Sequence, residues 1–288
     1  MENENIDRIN QAMDYIYRNL EKNLTVEEIA DHCCFSKYYF NRVFKSIVGE
    51  SIYAFIRRMK FESAAFKLRT TQRSITEIAI ETGYSPSNFA SIFKEFFAMS
   101  SSEYRNSDDV PVKNSYEAAV AHIKTMRKQA DAFNRINRKI VIKKLAAMSL
   151  EYKRFIGNYY GGLGQAWKDL FNELEKAGDL SDASQFIGIS YDDPFITDED
   201  HCIYDMCVKV DTIRNVNYHK IAEGYYACYE FHDRLENLIK AYHEIFLLWM
   251  PFCGYRFDNR PALEYYRSGL DAEGRIHLDI CIPIQLRK

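Results

Sequence analysis

The sequence predicts a multidomain protein in which an all-α domain of tandem helix-turn-helix units precedes an α+β domain of duplicated β-β-α-β-β units. Three observations support this fold class. A segment of 28 residues occurs twice at a spacing of 49 residues, a second repeat has a spacing of 76 residues, and the two halves differ in charge. Self-similarity at a fixed spacing indicates duplicated supersecondary units. The chain has 288 residues, which is enough for two separate cores.

The first repeat preserves the type of residue at aromatic, small and basic positions. Phe40 of one copy corresponds to Phe89 of the other, and Phe55 corresponds to Tyr104. Agreement of this kind is difficult to explain by chance, so one unit has been copied. The longer matched stretches are Glu28-Ile29-Ala30 with Glu77-Ile78-Ala79, Phe35-Ser36 with Tyr84-Ser85, and Phe44-Lys45 with Phe93-Lys94.

Each copy opens with the pattern of a helix capping box. The hydroxyl of Thr25 or Ser74 and the carboxylate three residues later, at Glu28 or Glu77, are expected to satisfy the first free amides of a helix reciprocally. Both helices must be short. The second is expected to end at Gly83, because glycine readily takes the left-handed conformation that terminates helices.

A second, longer helix is expected directly after each short one. It begins at Ser36 in one copy and at Ser85 in the other, and each carries an apolar stripe beneath a polar face. A short helix, a tight turn and a longer helix form a helix-turn-helix, whose second helix enters the DNA major groove. A helical hairpin without a partner is the alternative, which the duplication disfavours. Residues 51–70 would span about 30 Å as a helix, close to the roughly 34 Å between successive major grooves.

Charge is unevenly distributed along the chain. Residues 36–73 contain nine Lys or Arg and two Glu, whereas residues 141–288 contain 17 basic and 23 acidic side chains. The basic segment would attract phosphate and bind DNA in a salt-dependent way. The second half is therefore not expected to bind nucleic acid.

A first helix is expected before the first unit, with Ile6, Ile9, Met13, Ile16 and Leu20 at helical spacing. The motifs that follow it are Ile29-Ala30, Ser36 to Lys45, Gly49-Glu50-Ser51, Ile56 to Lys60 with Ala64-Ala65, Ile78-Ala79 to Gly83-Tyr84, and Ser102 to Arg105. On these motifs, residues 6–105 resemble an AraC/XylS-type DNA-binding domain.

The resemblance implies which residues contact promoter DNA. Its base-reading positions correspond to Tyr38, Asn41 and Arg42 in the first recognition helix and to Ser87, Asn88 and Ser91 in the second. Arginine can read guanine, and asparagine can pair with adenine. Because Ser91 stands where many relatives carry arginine, we expect the first recognition helix to contribute most base specificity. The expected phosphate contacts, for which a solvated helix face is the alternative, are Lys37, Lys45, Arg57, Arg58 and Lys94.

Residues 107–138 are expected to join two domains at 1–106 and 139–288. The joint begins with the polar, turn-rich stretch Asn106 to Pro111 and continues as a basic helix from Tyr116 to Lys139. This helix would either lie on DNA or space the domains, and we favour spacing.

The second repeat predicts an antiparallel sheet with helices on one side and a cleft between its halves. Gly188 of one copy corresponds to Glu264 of the other, and Leu150 corresponds to Tyr226. Alternating hydrophobicity indicates strands, and an amphipathic segment indicates a helix. In the first copy the strands are expected at 140–145, 148–155, 186–191 and 204–208, and the helix at 167–176.

Residues 139–288 contain a second set of motifs. These are Gly157 to Gly161, Ala166-Trp167, Phe186 to Pro194, Tyr204 to Val208, Ala262 to Tyr266 and Leu278 to Pro283. On these motifs, residues 139–288 resemble the GyrI-like, or Rob-type, effector-binding domain. It implies a cleft for small, amphipathic or cationic molecules, with aromatic walls and a central glutamate.

By position, the central glutamate is Glu264, which interrupts an apolar strand. A buried carboxylate is costly unless a positive group meets it. The residues alone also allow an internal Arg or Lys partner, or exposure to water; with the resemblance, we favour ligand contact. The aromatic residues expected to contact the ligand through stacking or cation–π interactions are Trp167, Tyr191, Tyr204 and Trp249.

These patterns predict a transcription regulator, most simply an activator, that also contacts RNA polymerase. The alternative is a C-terminal domain that hydrolyses or sequesters small molecules. We expect no enzyme activity, because neither a nucleophile–base pair nor a Gly-rich phosphate loop is recognisable. The seven cysteines contain no C-x-x-C pair and their number is odd, so no zinc site is expected. We expect no other metal and no cofactor. Without a signal peptide or a long apolar run, the expected compartment is the cytoplasm, with no membrane partner.

Overall fold

A computed structural model describes residues 2–107, 117–127, 129, 131–181, 183–258 and 260–286. The chain divides into two compact units, Met1–Lys113 and Asn114–Lys288. No helix among the described residues is both long and apolar enough to cross a membrane.

The first unit is helical throughout its described secondary structure. Its longest helix, which joins the two predicted helix-turn-helix units, has 19 residues and is therefore about 28 Å long. The helices are α1 (Glu2–Arg18), α2 (Val26–His32), α3 (Lys37–Val48), α4 (Ile52–Thr70), α5 (Ile75–Glu81), α6 (Pro86–Phe97) and α7 (Ser101–Asn106).

Only one of the two predicted capping boxes is complete. Ser74 and Glu77 satisfy each other's backbone amides at the start of α5. At the start of α2, Thr25 accepts a hydrogen bond from the Glu28 amide at 3.2 Å, but the Glu28 carboxylate accepts one from the Tyr15 hydroxyl instead. The predicted helix start is correct, but a tertiary contact with Tyr15 takes the place of the hydrogen bond expected from the Thr25 amide to the Glu28 carboxylate.

The two helix-turn-helix turns use the same backbone conformation with different residues. Gly83 has a φ of +80°, and Cys34, 49 residues earlier, has a φ of +57°. The left-handed region suits glycine and is unfavourable for residues with a Cβ. The first unit therefore carries backbone strain that the second unit avoids.

Aromatic residues form the cores beneath α3 and α6. Phe40 and Phe44 of α3 are fully buried, as are Phe89 and Phe93 of α6. Phe44 meets Phe55 of α4 edge to face, with the ring centroids 5.4 Å apart. Burial of these apolar stripes fixes the rotation of both helices about their axes and directs their polar residues outward.

The second unit is an α+β domain, as the sequence predicted. Its elements are α8 (Glu117–Arg127), α9 (Ala132–Asn137), β1 (Ile140–Leu145), β2 (Met148–Ile156), α10 (Leu163–Ala177), β3 (Phe186–Ser190), β4 (Ile203–Val210), β5 (Tyr218–Ile221), β6 (Gly224–Arg234), α11 (Leu238–His243), a π-helical segment (Glu244–Trp249), β7 (Arg256–Phe257), β8 (Leu263–Ser268) and β9 (Arg275–Gln285).

The described strands form one antiparallel sheet in which the two copies exchange their first strands. The order is β1-β6-β9-β8-β3-β4-β2-β5, with β7 paired to β9. Strand β1 pairs with β6 of the second copy, and β5 of the second copy pairs with β2 of the first. The copies meet at the centre, where Gly188 of β3 is the register partner of Glu264 of β8.

Helices α10 and α11 both pack on the sheet face that carries Glu264. Side chains alternate between the two faces of a strand, so Glu264 and Tyr266 share one face while Leu263 and Tyr265 share the other. Leu170 of α10 packs with strand residues on this face. The prediction of helices on one side of an antiparallel sheet is confirmed.

The segment expected to join the domains contains two helices that pack within the second unit. Ile123 of α8 and Ile136 of α9 belong to the same buried cluster as Ile245 and Trp249 of the π-helical segment. Residues 108–116, which include most of the predicted turn-rich stretch and the predicted helix start at Tyr116, lie outside the described residues.

Candidate functional site

The polar face of α3 is exposed. Tyr38 is 91% exposed, and the side chains of Arg42 and Lys45 also face solvent. The Arg42 guanidinium lies 5.3 Å from the centre of the Tyr39 ring, a contact that supports the side chain without occupying its N–H donors. Three of the residues predicted to contact DNA therefore form one accessible surface.

Two other predicted DNA contacts on α3 have partners within the protein. The amide nitrogen of Asn41 donates to the Lys37 carbonyl oxygen at 2.9 Å. The Lys37 ammonium pairs with Glu27 of α2. Both interactions are on the surface, where an ion pair contributes little stability. They orient the start of α3. Because each contributes little stability, replacing them by contacts with another molecule would cost little free energy.

The polar face of α6 is exposed as well, but it is less basic. Ser87, Asn88, Ser91 and Lys94 all face solvent. Ser85 caps this helix by accepting a hydrogen bond from the Asn88 amide at 3.3 Å. The exposed face of α6 thus offers hydroxyl and amide groups and one ammonium group, in contrast to the arginine and lysine of α3.

The expectation of phosphate contact does not fit Arg58. This side chain is only 5% exposed, and it pairs with Glu50 at 2.8 Å and with Glu62 at 3.1 Å. Arg57 is half-buried and pairs with Glu95 of α6 at 2.8 Å. The residue count did not reveal that part of the basic segment is neutralised inside the fold.

Lys60 is a second internal basic residue of α4. Its ammonium donates to the carbonyl oxygens of Lys22 at 3.2 Å and Thr82 at 2.9 Å, and burial lowers its pKa. These contacts tie α4 to the loop before α2 and to the turn between α5 and α6. Lys60 therefore has a structural role, and its ammonium is not part of the exposed surface of the helix-turn-helix units.

The second candidate site is centred on Glu264, which is 4% exposed. Its Oε2 accepts hydrogen bonds from the hydroxyls of Tyr204 at 2.5 Å and Tyr266 at 2.9 Å. Its Oε1 accepts one from Tyr242 at 2.8 Å. Strands β4 and β8 supply the first two hydroxyls, and α11 supplies the third.

The three tyrosines act as hydrogen-bond donors. Burial, and then the negative charge of Glu264, raise the pKa of Tyr204, Tyr242 and Tyr266 well above the ordinary tyrosine value. All three hydroxyls therefore keep their protons at neutral pH. A hydrogen bond to an ionised group is stronger than one between neutral groups, so this arrangement stabilises a carboxylate in the interior.

No lysine, arginine or histidine of the described part of the chain forms an ion pair with Glu264; its polar partners there are the three tyrosine hydroxyls. Buried charges in proteins are usually paired with an opposite charge. The internal cation that the sequence alone left open is not found among these residues.

Aromatic rings line the Glu264 site on the α10 side. The ring centroid of Trp167 lies 5.2 Å from that of Tyr266 and 6.4 Å from that of Tyr204, both in edge-to-face geometry. Tyr159 meets Tyr204 edge to face at 5.7 Å. The structure thus brings together Glu264, Tyr204 and, through its contacts with Tyr204 and Tyr266, Trp167.

Gly188 makes this arrangement possible. A Cβ atom at this position would lie 1.7 Å from the Tyr204 hydroxyl oxygen and 3.1 Å from Oε2 of Glu264. The Tyr204 hydroxyl therefore occupies the space that any other residue's side chain would need. In the sequence Gly188 is the repeat partner of Glu264 and part of the motif from Phe186 to Pro194, but neither pattern indicates its contact with the Tyr204 hydroxyl.

Tyr191 and Trp249, the other two aromatic residues predicted to contact the ligand, lie elsewhere. The Tyr191 hydroxyl donates to Asp205 at 2.8 Å, and Asp205 faces away from its neighbour Tyr204 because strand side chains alternate. Trp249 is fully buried in the core and donates to Asn137 at 2.8 Å. Tyr191 is thus on the opposite sheet face, and Trp249 is a core residue.

Sequence reasoning missed Tyr242 and Tyr266. Tyr266 follows Glu264 by two residues, and this spacing places both side chains on one face of a strand. The contact of Tyr242 depends on how α11 docks on the sheet, for which the sequence offered only its repeat equivalence to Ala166.

The fold and the two sites define a DNA-binding helix-turn-helix regulator that carries a second domain for small molecules. Comparison with protein families agrees. The GyrI-like small molecule binding domain matches residues 138–285, and a helix-turn-helix domain matches residues 10–107. The chain therefore belongs to the GyrI-like family, with an AraC-type helix-turn-helix domain preceding that region.

Transcription regulators of other bacteria resemble about a third of the chain. An uncharacterised HTH-type regulator of Haemophilus influenzae is 34% identical over 35% of this chain, which corresponds to 34% of that protein's length. The activator AarP of Providencia stuartii is 36% identical over 35% of this chain and 75% of its own length. For SoxS of Salmonella typhimurium the identity is 30%, over 34% of this chain and 92% of SoxS. These relatives are transcription regulators rather than enzymes.

Proposed function

We propose that this protein is a sequence-specific transcription activator controlled by a small amphipathic cation bound at Glu264. The observation that carries the proposal is a buried carboxylate whose described partners are three neutral hydroxyls. An ionised group in the interior is costly without an opposite charge. A cation in contact with Glu264 would remove that cost.

The ligand's apolar part would contact the aromatic rings around the carboxylate. Trp167 meets the rings of Tyr204 and Tyr266 edge to face, and the hydroxyls of these two tyrosines contact Glu264. Aromatic rings attract cations. Because the hydroxyls already donate to the carboxylate, a cation without N–H donors could still complete the site. These features support a soft organic cation such as a quaternary ammonium or phosphonium ion.

The exposed faces of α3 and α6 support promoter binding. Arg42 would read guanine through its two parallel N–H donors, Tyr38 would contact a thymine methyl, and Asn88 would pair with adenine. Lys45 and Lys94 would bind phosphate, which contributes affinity without sequence preference. We propose that α3 contributes the larger share of base specificity.

Activation would require contact with RNA polymerase at the promoter, in the cytoplasm. AarP, which matches the DNA-binding region, is an activator. Control by the ligand requires that it bind more tightly to one of two states of the protein, because equal affinity for both shifts neither.

Calorimetric titration of the full chain with tetraphenylphosphonium tests the ligand site. We expect the wild type to show saturable binding. The Glu264→Gln variant should bind with an affinity lower by about tenfold or more, since that substitution removes the charge and keeps the shape of the side chain. Glu173→Gln, which alters an exposed glutamate paired with Lys153, is the matched control and should bind as the wild type does. Equal affinity of the Glu264→Gln variant and the wild type would contradict the proposal.

A further inference from the structure

One of the three hydroxyls on Glu264 comes from a helix that also contacts the connector helices α8 and α9. Tyr204 and Tyr266 belong to strands of the sheet, whereas Tyr242 is the penultimate residue of α11. A strand in the middle of a sheet is held by its neighbours on both sides. A helix on the surface of the sheet can move with less disruption.

The helix that carries Tyr242 changes type after His243, the residue that follows it. From Glu244 to Trp249 it is π-helical, and the Met250 amide donates to the Ile245 carbonyl oxygen, five residues earlier, at 2.8 Å. The equivalent helix of the first copy, α10, is α-helical for all of its 15 residues. π-helical turns are rare, less favourable than α-helix, and frequent at functional sites.

Both ends of the π-helical segment are tied to the connector. Glu244, its first residue, pairs with His122 of α8 at 2.7 Å. Trp249, its last residue, donates from Nε1 to Asn137 of α9 at 2.8 Å. A return of this segment to α-helical hydrogen bonding would rotate one end relative to the other, since an α-helix turns by about 100° per residue. The two ties could not then both keep their present geometry.

We propose that the helix from Leu238 to Trp249 transmits occupancy of the Glu264 site to α8 and α9. This inference rests on the proposed function, because it assigns the route by which that same site acts. A cation at Glu264 reduces the stabilisation that the carboxylate gains from the Tyr242 hydroxyl. The helix then shifts, and its contacts with His122 and Asn137 change. The chain leads from α8 through residues 108–116 to the DNA-binding domain.

Hydrogen–deuterium exchange on the full chain, without ligand, tests the route with two matched variants. Tyr242→Phe and Tyr204→Phe each remove one hydroxyl from Glu264, but only the first belongs to the proposed helix. Tyr242→Phe should speed amide exchange in α8 and α9 by about fivefold, the factor expected for one lost hydrogen bond. Tyr204→Phe should leave exchange in both helices unchanged. Equal acceleration by both variants, or acceleration by neither, would overturn the proposal.

A third variant separates the route from the ligand site. Trp249→Phe keeps an aromatic ring in the core and removes the bond to Asn137, so exchange in α9 should accelerate while tetraphenylphosphonium affinity stays within about twofold of the wild type. Unchanged exchange in α9 would contradict the route. Absence of tetraphenylphosphonium binding to the wild type would contradict the proposed function, and the two unliganded exchange comparisons would still decide the route.

Discussion

Gly188 lies directly opposite Glu264 on neighbouring antiparallel strands, and the two residues hold equivalent positions in the duplicated unit. The duplication therefore brought one position of each copy together at the centre of the sheet. One copy contributes a carboxylate, and the other contributes the space into which the Tyr204 hydroxyl projects. The asymmetry of this single pair creates the candidate site.

The Gly188→Ala substitution should disrupt that site. Its Cβ would meet the Tyr204 hydroxyl oxygen at 1.7 Å, so we expect a loss of about 1–3 kcal/mol in the free energy of unfolding, as for other overpacked cores, together with weaker tetraphenylphosphonium binding. Gly164→Ala is the control, because no atom lies within 4 Å of the added Cβ there. Chemical denaturation and calorimetry measure both effects. A Gly188→Ala variant as stable as the control would refute this packing argument.

DNA binding should depend more on α3 than on α6. We expect Arg42→Ala to cost about 1–3 kcal/mol of binding free energy at a guanine of the site, the value of one good base contact. Asn88→Ala should cost less. Fluorescence anisotropy at fixed salt, on a DNA site selected from a random pool, compares the two variants. An equal or greater loss for Asn88→Ala would show that the proposed asymmetry is wrong.

Arg58 should contribute to folding stability rather than to DNA affinity. Removing one partner of a buried ion pair leaves an uncompensated charge, so Arg58→Ala should lower the free energy of unfolding by about 3–5 kcal/mol. Arg57, whose ion pair with Glu95 is partly exposed, should cost less than about 1 kcal/mol when changed to alanine. Thermal unfolding of the two variants provides the comparison, and similar midpoints would contradict the assignment of Arg58 to the interior.

The two turns between helix-turn-helix helices should respond oppositely to substitution. Cys34→Gly relieves a left-handed backbone at a residue with a Cβ, so it should raise the free energy of unfolding by about 1 kcal/mol. Gly83→Ala should lower it, because the new Cβ would lie 2.9 Å from Oδ1 of Asn23. Cys34→Ser retains the strain and controls for loss of the thiol. Scanning calorimetry measures the unfolding temperature of each variant. Equal unfolding temperatures for Cys34→Gly and Cys34→Ser would contradict the argument.

Local patterns in the sequence predicted most of the fold. The strands expected at 140–145 and 148–155 correspond to β1 and β2, and the expected tandem helix-turn-helix units correspond to α2–α3 and α5–α6. Short-range patterns identified the individual helices and strands, and the repeats at spacings of 49 and 76 residues grouped them into units. Exchange of β1 and β5 between the copies was not predicted, because adjacent alternating strands are equally compatible with a simple hairpin.

The sites were predicted less completely than the fold, because side-chain partners depend on tertiary contacts. Glu264 was identified as a carboxylate in an apolar strand, which is a local signal. A tryptophan suits both a core position and a ligand contact, so the residue type of Trp249 could not distinguish the two. Arg58 counts as positive charge in the sequence, and only packing reveals that Glu50 and Glu62 surround it.

Anisotropy titration of the full chain on its selected DNA site, with and without tetraphenylphosphonium, tests the central claim most directly. The account predicts that saturating tetraphenylphosphonium changes the Kd for DNA by about fivefold or more in the wild type, the usual scale of coupling between sites. The Glu264→Gln variant should show the same Kd in both conditions. An equal shift in the wild type and in Glu264→Gln, or no shift in a wild type saturated with the cation, would contradict it.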